Sequence, residues 1–326
     1  SMPSFPAVRA LLLVALAAAP AVAPGAPAHP GPAPVPQAAP AAFDALAAQA
    51  AAAREEARCE VAIDLDALAV EEDPSRLEGH WALATLLYDA DRFAEAVEHF
   101  RLVVAARPED GLALALLGLS DAQIGEHEEA LGVLMKARVV GIPAAEVLAV
   151  VNYQAALLLN QAGDPDGALE VLRKFAMDGD DSPGIIVAFG LATLRLPLLP
   201  AEIPTEKQEM ILLAGRAGYH MARARRTAIG RLAAEELVSR YPGEPNVHFT
   251  LGMYLLPDDQ AAAVAALRRE LTVSPDHHVA MIQIALAELK RGRGAAALPL
   301  AERAAELAPN VPAAYLALGR SLLAVG

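Results

Sequence analysis

The residues that could perform chemistry in this chain are few, and they do not form a catalytic or metal-binding set. The eight histidines are scattered, and His277 and His278, which are adjacent, would point roughly 100° apart on a helix. Two rings oriented in this way cannot easily share one metal ion. Cys59 is the only cysteine, which excludes an intrachain disulfide and a cysteine-rich metal site. The sequence therefore predicts no metal, no cofactor and no catalytic residue.

Motifs of enzymes and ligand-binding proteins are also absent from the sequence. It contains no nucleophile elbow, zinc-protease motif, glycine-rich phosphate loop or dinucleotide fingerprint. Asp180 and Asp181 lack the spacing of a calcium loop, and we interpret them as a solvated turn. The formal net charge of −14 argues against nucleic-acid binding, which requires a basic surface. These observations predict a protein that is not an enzyme.

The side chains best suited to binding are aromatic residues at helical spacing. Trp81, Thr85 and Tyr88 are four and three residues apart, which places them on one face of a helix. Phe249 and Met253 share that spacing further along the chain. Aromatic rings bury a large area with few rotatable bonds, which makes them common anchors of binding. The alternative is that these rings fill gaps between neighbouring helices.

These aromatic positions lie on units that the sequence repeats. Residues 77–110 contain two apolar runs of helical periodicity around a polar turn, and Pro108 ends the second run because proline cannot continue a helix. Ala62, Ala96 and Ala130 occupy the same place in successive units, 34 residues apart (96 − 62 and 130 − 96). A helical hairpin of this size cannot bury its apolar faces alone, so it requires neighbours.

The repeated unit resembles the tetratricopeptide repeat, whose period is about 34 residues. The elements that carry the resemblance are a Leu-Gly pair, an alanine followed by Phe, and a closing proline: Leu117-Gly118, Leu251-Gly252, Leu318-Gly319, Ala96 with Phe100, Pro108, Pro242, Pro275 and Pro309. The resemblance covers nearly all of residues 43–326. It implies an all-α fold, a right-handed superhelical solenoid of antiparallel helix pairs.

The pattern also predicts how the repeats are arranged along the chain. Four units occupy 43–177, an irregular insertion with one apolar helix occupies 178–205, and three units with one unpaired helix occupy 206–326. Thr205 with Gln208 is interpreted as a capping box that begins the helix after the insertion.

The N-terminal residues 1–28 are typical of an export signal. Arg9 precedes the short apolar run 10–19, and small residues follow at the spacing of cleavage sites. The run is too short to cross a bilayer, which needs ~20 residues. Residues 29–42 are rich in proline and alanine and predict an extended, disordered linker. We therefore expect a periplasmic or secreted protein whose mature chain has no membrane span.

The resemblance implies that the first helix of each pair lines a concave groove for a protein or peptide. The groove residues that we predict are Trp81, Thr85, Tyr88, Tyr153, Phe249 and Met253. Family members with a carboxylate clamp bind acidic chaperone tails through lysines and asparagines, which this sequence lacks at the matching positions. The sequence also contains a basic patch, formed by Arg216, Arg223 and Arg226. We interpret this patch as either a solvated face or a docking site for an acidic partner.

The last predicted helix, 311–325, is expected to expose an apolar stripe that contains Leu316 and Leu323. An uncovered apolar end of a solenoid favours association. The natural chain then either continues with the missing second helix, or this end pairs with another copy.

The sequence thus favours an exported scaffold that binds a protein or peptide segment in a solenoid groove. Two alternatives remain open. One is a structural or oligomerising module without a peptide ligand, and the other is the non-catalytic part of a longer chain.

Overall fold

The computed structural model describes residues 42–223 and 227–326, and this part of the chain is all-α. It contains sixteen α-helices and two short 3₁₀ helices, with no β-strand in the same residues. The predicted fold class is therefore confirmed. The predicted export signal lies outside the described residues, as does all of the predicted linker except Ala42. The helices form two compact units, which divide between Ala155 and Ala156.

The N-terminal unit is built from helical hairpins joined by short turns. Its complete helices are α1 (Ala42–Glu55), α2 (Cys59–Glu72), α3 (Leu77–Asp89), α4 (Phe93–Ala106), α5 (Gly111–Gln123) and α6 (His127–Val140). Helices α1 and α2, α3 and α4, and α5 and α6 pack most extensively on each other. The division between the units falls within α7 (Ala145–Gln161).

The helix boundaries follow the period seen in the sequence. The second helices α2, α4 and α6 begin at Cys59, Phe93 and His127, each 34 residues after the last (93 − 59 and 127 − 93). Ala62 and Ala130, which occupy the same position in α2 and α6, have no exposed surface. The helix-pair architecture that the tetratricopeptide resemblance implied is thus confirmed in this unit, and small side chains lie where the helices cross.

The C-terminal unit begins with the end of α7 and contains the remaining helices. These are α8 (Pro165–Asp178), α9 (Pro183–Thr193), α10 (Gln208–Ala222), α11 (Ala228–Arg240), α12 (Val247–Leu255), α13 (Gln260–Val273), α14 (His278–Lys290), α15 (Gly294–Leu307) and α16 (Pro312–Val325). Helices α10 and α11, α12 and α13, and α14 and α15 form consecutive hairpins, and α16 packs on α15 and α14.

The regular pairing is interrupted inside the C-terminal unit, where α9 packs directly on α10. The segment between them holds only the 3₁₀ turns Pro200–Glu202 and Thr205–Lys207. The prediction of a capping box at Thr205 was wrong. Thr205 begins a 3₁₀ turn, and α10 starts after Lys207, whose side chain makes no capping hydrogen bond. The sequence motif was present, but the chain tightens into a 3₁₀ turn before the α-helix begins.

Candidate protein-binding groove

The predicted aromatic face of the N-terminal unit lies on α3 and is partly covered. Trp81 and Tyr88 are half-buried. Their rings meet Phe100 and Phe93 of α4 edge-on, with ring centroids 5.9 and 5.3 Å apart. Thr85 lies between them with no exposed surface, and its hydroxyl donates to a carbonyl of its own helix. The two rings keep some accessible surface, whereas Thr85 offers none to a partner.

Tyr153 is more completely covered than the other predicted groove residues of this unit. Only 4% of it is exposed, in the part of α7 that belongs to the N-terminal unit. Burial raises the pKa of its hydroxyl, because the charged phenolate is poorly solvated there. Its ring contributes to packing in this conformation rather than to an open surface.

In the C-terminal unit, the structure brings Phe249 and Met253 together beside a cavity of about 410 Å³. The walls come from α8, the end of α9, α10, α12 and α14. The lining is mainly apolar and includes Leu169, Met221, Phe249, Met253, Val279 and Gln283. Phe249 is largely buried and Met253 is half-buried. Methionine side chains adapt their shape readily, so this wall can follow the contour of an apolar ligand.

Arg195 is one of two arginines on the cavity wall, and it is paired there with Asp166. It follows α9 with a φ of 53°, in the left-handed region that residues with a side chain rarely adopt. The guanidinium donates to the two carboxylate oxygens of Asp166 on α8, over 2.8 and 3.0 Å. Its central carbon lies 5.5 Å from the centroid of the Phe249 ring, within the range of a cation–π contact. The cavity therefore joins an apolar wall to an anchored cation.

A second cavity, of about 670 Å³, adjoins the first at Gln283, which lines both. Leu256 and Leu286 contribute apolar surface, and Lys290 and Arg320 also line this cavity. Leu256 and Leu286 are half-buried, so part of each side chain is open to a partner. We call the surface formed by both cavities the C-terminal groove. It runs along the open faces of α12 and α14, the first helices of their pairs.

A buried carboxylate holds the start of α12 beside the groove. Glu270 of α13 has no exposed surface. It accepts hydrogen bonds from the backbone N–H groups of Asn246 and Phe249, at 2.8 and 3.0 Å, and from the hydroxyl of Ser274 at 2.9 Å. The first amides of a helix have no partner within the helix. Glu270 therefore satisfies two of them and fixes the backbone that carries Phe249.

His277 completes this support from the start of α14. Its Nδ1 accepts a hydrogen bond from the backbone N–H of Ala280 at 3.1 Å, which leaves Nε2 to donate to the Asn246 side-chain oxygen at 3.0 Å. The ring lies 4.5 Å from that of Phe249, measured between centroids. Burial lowers the pKa of His277; the Glu270 charge opposes this shift, and the Arg195 charge adds to it. The neutral imidazole is the form that can accept the Ala280 hydrogen bond.

The sequence analysis missed much of this groove. Val279, Gln283 and Leu286 are four and three residues apart on α14, which is the spacing that singled out Trp81, Thr85 and Tyr88. That signal could have identified the α14 face. Arg195 had no comparable signal, because its position depends on the left-handed turn after α9 and on the contact with Asp166.

The predicted basic patch is only partly described by the structure. Arg216 and Arg223 are exposed, and Arg226 lies outside the described residues. The guanidinium of Arg223 donates to the hydroxyl of Tyr219 at 3.2 Å. Neither arginine lines the C-terminal groove. The role of this patch in binding an acidic partner stays a prediction.

Residues 42–223 and 227–326 contain no cluster of three or more His, Cys, Asp or Glu side chains arranged to hold a metal ion. Over the same residues, no helix combines the length and the apolar character that a membrane crossing requires.

Comparisons with known proteins give matches only among solved structures. No protein-family profile and no curated protein matches the chain. A tetratricopeptide repeat protein from Parabacteroides merdae is 13% identical, with a TM-score of 0.41, and the match covers 86% of this chain and 99% of that one. YrrB, described as a TPR protein with an unusual peptide-binding site, is 14% identical, with a TM-score of 0.29 over 77% of this chain and 96% of its own. The TPR2AB domain of yeast Sti1, solved in complex with pHSP90, is 14% identical, with a TM-score of 0.33 over 87% and 97%. These similarities are too low to carry an argument about function.

Proposed function

We propose that this protein is an exported, non-catalytic scaffold that binds a peptide or protein segment in the C-terminal groove. The observation that carries the proposal is a pair of adjoining cavities on this surface. Two cavities of about 410 and 670 Å³ meet at Gln283 and leave the half-buried side chains of Met253, Leu256, Val279 and Leu286 partly open to a partner. Contiguous apolar surface of this kind is typical of sites that bind other proteins.

The composition of the groove favours a segment with apolar side chains. Its floor can bury aliphatic or aromatic groups of the partner, which contributes most of the affinity in peptide grooves. Arg195 lines the first cavity, and the cations Lys290 and Arg320 line the second. They can donate hydrogen bonds to carbonyl or carboxylate oxygens of the bound segment.

The supporting contacts favour a groove that exists before the partner binds. The Glu270 carboxylate and the His277 ring hold the start of α12 and the Phe249 ring from two neighbouring helices. A preformed surface loses little conformational entropy on binding. We infer that affinity depends on this buried support as well as on the residues that touch the partner.

Export rests on the N-terminal sequence alone. The charged start, the apolar run and the small residues of 1–28 are typical of a cleaved signal and support the proposal. The test is to express the full chain and a variant without residues 1–28 in a Gram-negative host and to fractionate the cells. The full chain should be found, shortened, in the periplasm or medium, and the variant in the cytoplasm. A full chain that remains unprocessed in the cytoplasm would contradict export.

Binding can be tested by selecting a random-peptide display library on the purified protein. The selected peptides should share apolar residues, and their enrichment should be lost on Val279→Glu. Leu232→Glu is the matched control, because Leu232 is an exposed leucine on α11, 63% accessible, that lines neither cavity. Circular dichroism confirms that both variants are folded. No enriched peptides, or peptides that bind Val279→Glu as well as Leu232→Glu, would contradict the proposal.

A further inference from the structure

Arg195 lies at a turn position that glycine occupies more often than any other residue in this chain. Across residues 42–223 and 227–326, seven helices are followed by one bonding pattern. A residue with positive φ donates its backbone N–H three residues back, and the next residue donates five residues back, which is the Schellman arrangement. The residues with positive φ are Ala57, Asp91, Gly125, Gly163, Gly179, Arg195 and Gly292. Glycine is the residue that adopts this conformation without strain.

What sets Arg195 apart is the place of its side chain. Backbone strain alone does not identify a function, because Ala57 is in the same conformation and its side chain is exposed. The Arg195 side chain instead lines the first cavity of the C-terminal groove and is only 22% exposed. Strained residues concentrate at sites where the side chain has a role in binding. The position of Arg195 therefore indicates such a role.

The Arg195 guanidinium is anchored through one of its nitrogens only. Nη2 makes both hydrogen bonds to Asp166, and the contact with the Phe249 ring orients the group beside the cavity. In the described part of the chain, no acceptor pairs with Nε or Nη1. These two nitrogens carry three of the five N–H donors of a guanidinium. An oxygen of a bound segment can therefore pair with them while the Asp166 contact stays in place.

The charges around the first cavity favour an uncharged acceptor. Its wall carries two carboxylates, Asp166 and Glu170, and two guanidinium groups, Arg173 and Arg195. Arg173 lies 3.6 Å from Glu170, and Arg195 is paired with Asp166. A carboxylate entering this cavity would be repelled by two like charges. A carbonyl oxygen would not be repelled, and it still accepts a strong hydrogen bond from a charged donor.

We propose that Arg195 determines the specificity of the C-terminal groove by donating to an uncharged carbonyl oxygen of the bound segment, from its main chain or from an amide side chain. This inference rests on the proposed function, since it requires a segment in the groove. The first cavity then accepts a neutral segment whose apolar side chain packs against Phe249 and Met253, and it rejects a segment that places an acidic residue there.

The experiment selects the random-peptide display library on the wild-type chain and, in parallel, on Asp166→Asn. Binding of one labelled wild-type-selected peptide is then measured by fluorescence anisotropy with Arg195→Gly, which introduces the residue that four of the seven turns already contain. Ala57→Gly is the matched control, because it makes the same change in a turn of the N-terminal unit that lines neither cavity. Urea unfolding is measured for all variants.

We expect Ala57→Gly to bind the peptide as the wild-type chain does, and Arg195→Gly to bind it at least roughly tenfold more weakly. The urea midpoint of Arg195→Gly should be no lower than that of the wild-type chain, because glycine relieves the backbone strain. Peptides selected on the wild-type chain should not be enriched in Asp or Glu, whereas those selected on Asp166→Asn should be, because the Arg195 charge is then uncompensated.

The outcomes separate this inference from the proposed function. Binding that is lost on Val279→Glu but retained by Arg195→Gly would overturn the inference and leave the groove standing. A lowered urea midpoint for Arg195→Gly would assign Arg195 to support of the fold and would overturn it as well. Acidic peptides from the wild-type selection would contradict the uncharged acceptor. If the wild-type chain enriches no peptide, the inference and the proposed function both fail.

Discussion

The contact between α9 and α10 depends on two glycines, which makes it the most sensitive test of the packing beside the groove. A Cβ atom added to Gly190 would lie 2.0 Å from the backbone oxygen of Ile211, and one added to Gly215 would lie 2.0 Å from that of Ile186. Neither oxygen can rotate away, because each belongs to a helix backbone. Gly190→Ala or Gly215→Ala must therefore push the two helices apart.

The expected cost follows from two opposing effects. Alanine is favoured over glycine within a helix by about 0.5–1 kcal/mol. Forcing extra volume into a packed contact costs about 1–3 kcal/mol, and a clash between backbones belongs at the upper end of that range. Each substitution should therefore reduce the free energy of unfolding by about 2 kcal/mol. Together they should cost less than the sum, because one separation of the helices relieves both clashes.

Urea unfolding followed by circular dichroism measures these free energies. Gly132→Ala is the control, because that glycine is helical, exposed and free of neighbours. It should raise the stability by about 0.5–1 kcal/mol. The reasoning is refuted if Gly190→Ala and Gly215→Ala match or exceed the wild-type stability while the control behaves as expected. Full additivity in the double variant would refute the idea of one shared crossing.

Three further predictions concern the support of the C-terminal groove and the N-terminal aromatic face. Glu270→Ala should lower the free energy of unfolding by about 3 kcal/mol because it leaves two buried amides unpaired, and urea unfolding should show a smaller loss for Glu270→Gln. Because the folded-state pKa of His277 is lowered, its contribution to stability should be complete above pH ~6.5 and should decline as the pH falls below that value. The urea midpoint should fall less between pH 8 and pH 5 for His277→Asn, which can still cap α14, than for the wild-type chain. An equal dependence of the midpoint on pH in both proteins would contradict this role of His277. If the N-terminal aromatic face takes part in binding, Trp81→Ala and Tyr88→Ala should each weaken partner binding by more than ~1 kcal/mol, measured by calorimetry. A loss of binding that only follows the loss of folded protein would assign both rings to the core.

Much of the fold could be predicted from the sequence because helix pairs of one length recur. Cys59, Phe93 and His127 occupy the same place in successive units of the sequence, and in the structure each is the first residue of a second helix. Helical periodicity and closing prolines can be recognised within a short stretch of sequence, so their recognition does not depend on similarity to other proteins. The start of α10 was missed at Thr205 because a 3₁₀ turn and a capping box share the same local residues.

The site was less predictable because helical spacing identifies a face but not what covers it. Thr85 and Tyr153 have the spacing of groove residues, yet neighbouring helices bury both of them. The exposure of Leu316 and Leu323 was predicted correctly; they are 49% and 86% exposed. Arg195 could not be predicted, since its place on the cavity wall depends on a left-handed residue and on a carboxylate from α8, the helix that precedes α9.

The central claim, that the C-terminal groove binds protein segments, is tested most directly by locating a bound peptide. A peptide from the display selection, carrying a photo-activated benzophenone in place of an apolar residue, is cross-linked to the full chain, and the adduct is mapped by mass spectrometry. Adducts should fall on residues 247–256 or 278–290, which form the groove floor. Adducts on α11, or in the N-terminal unit, would contradict the account.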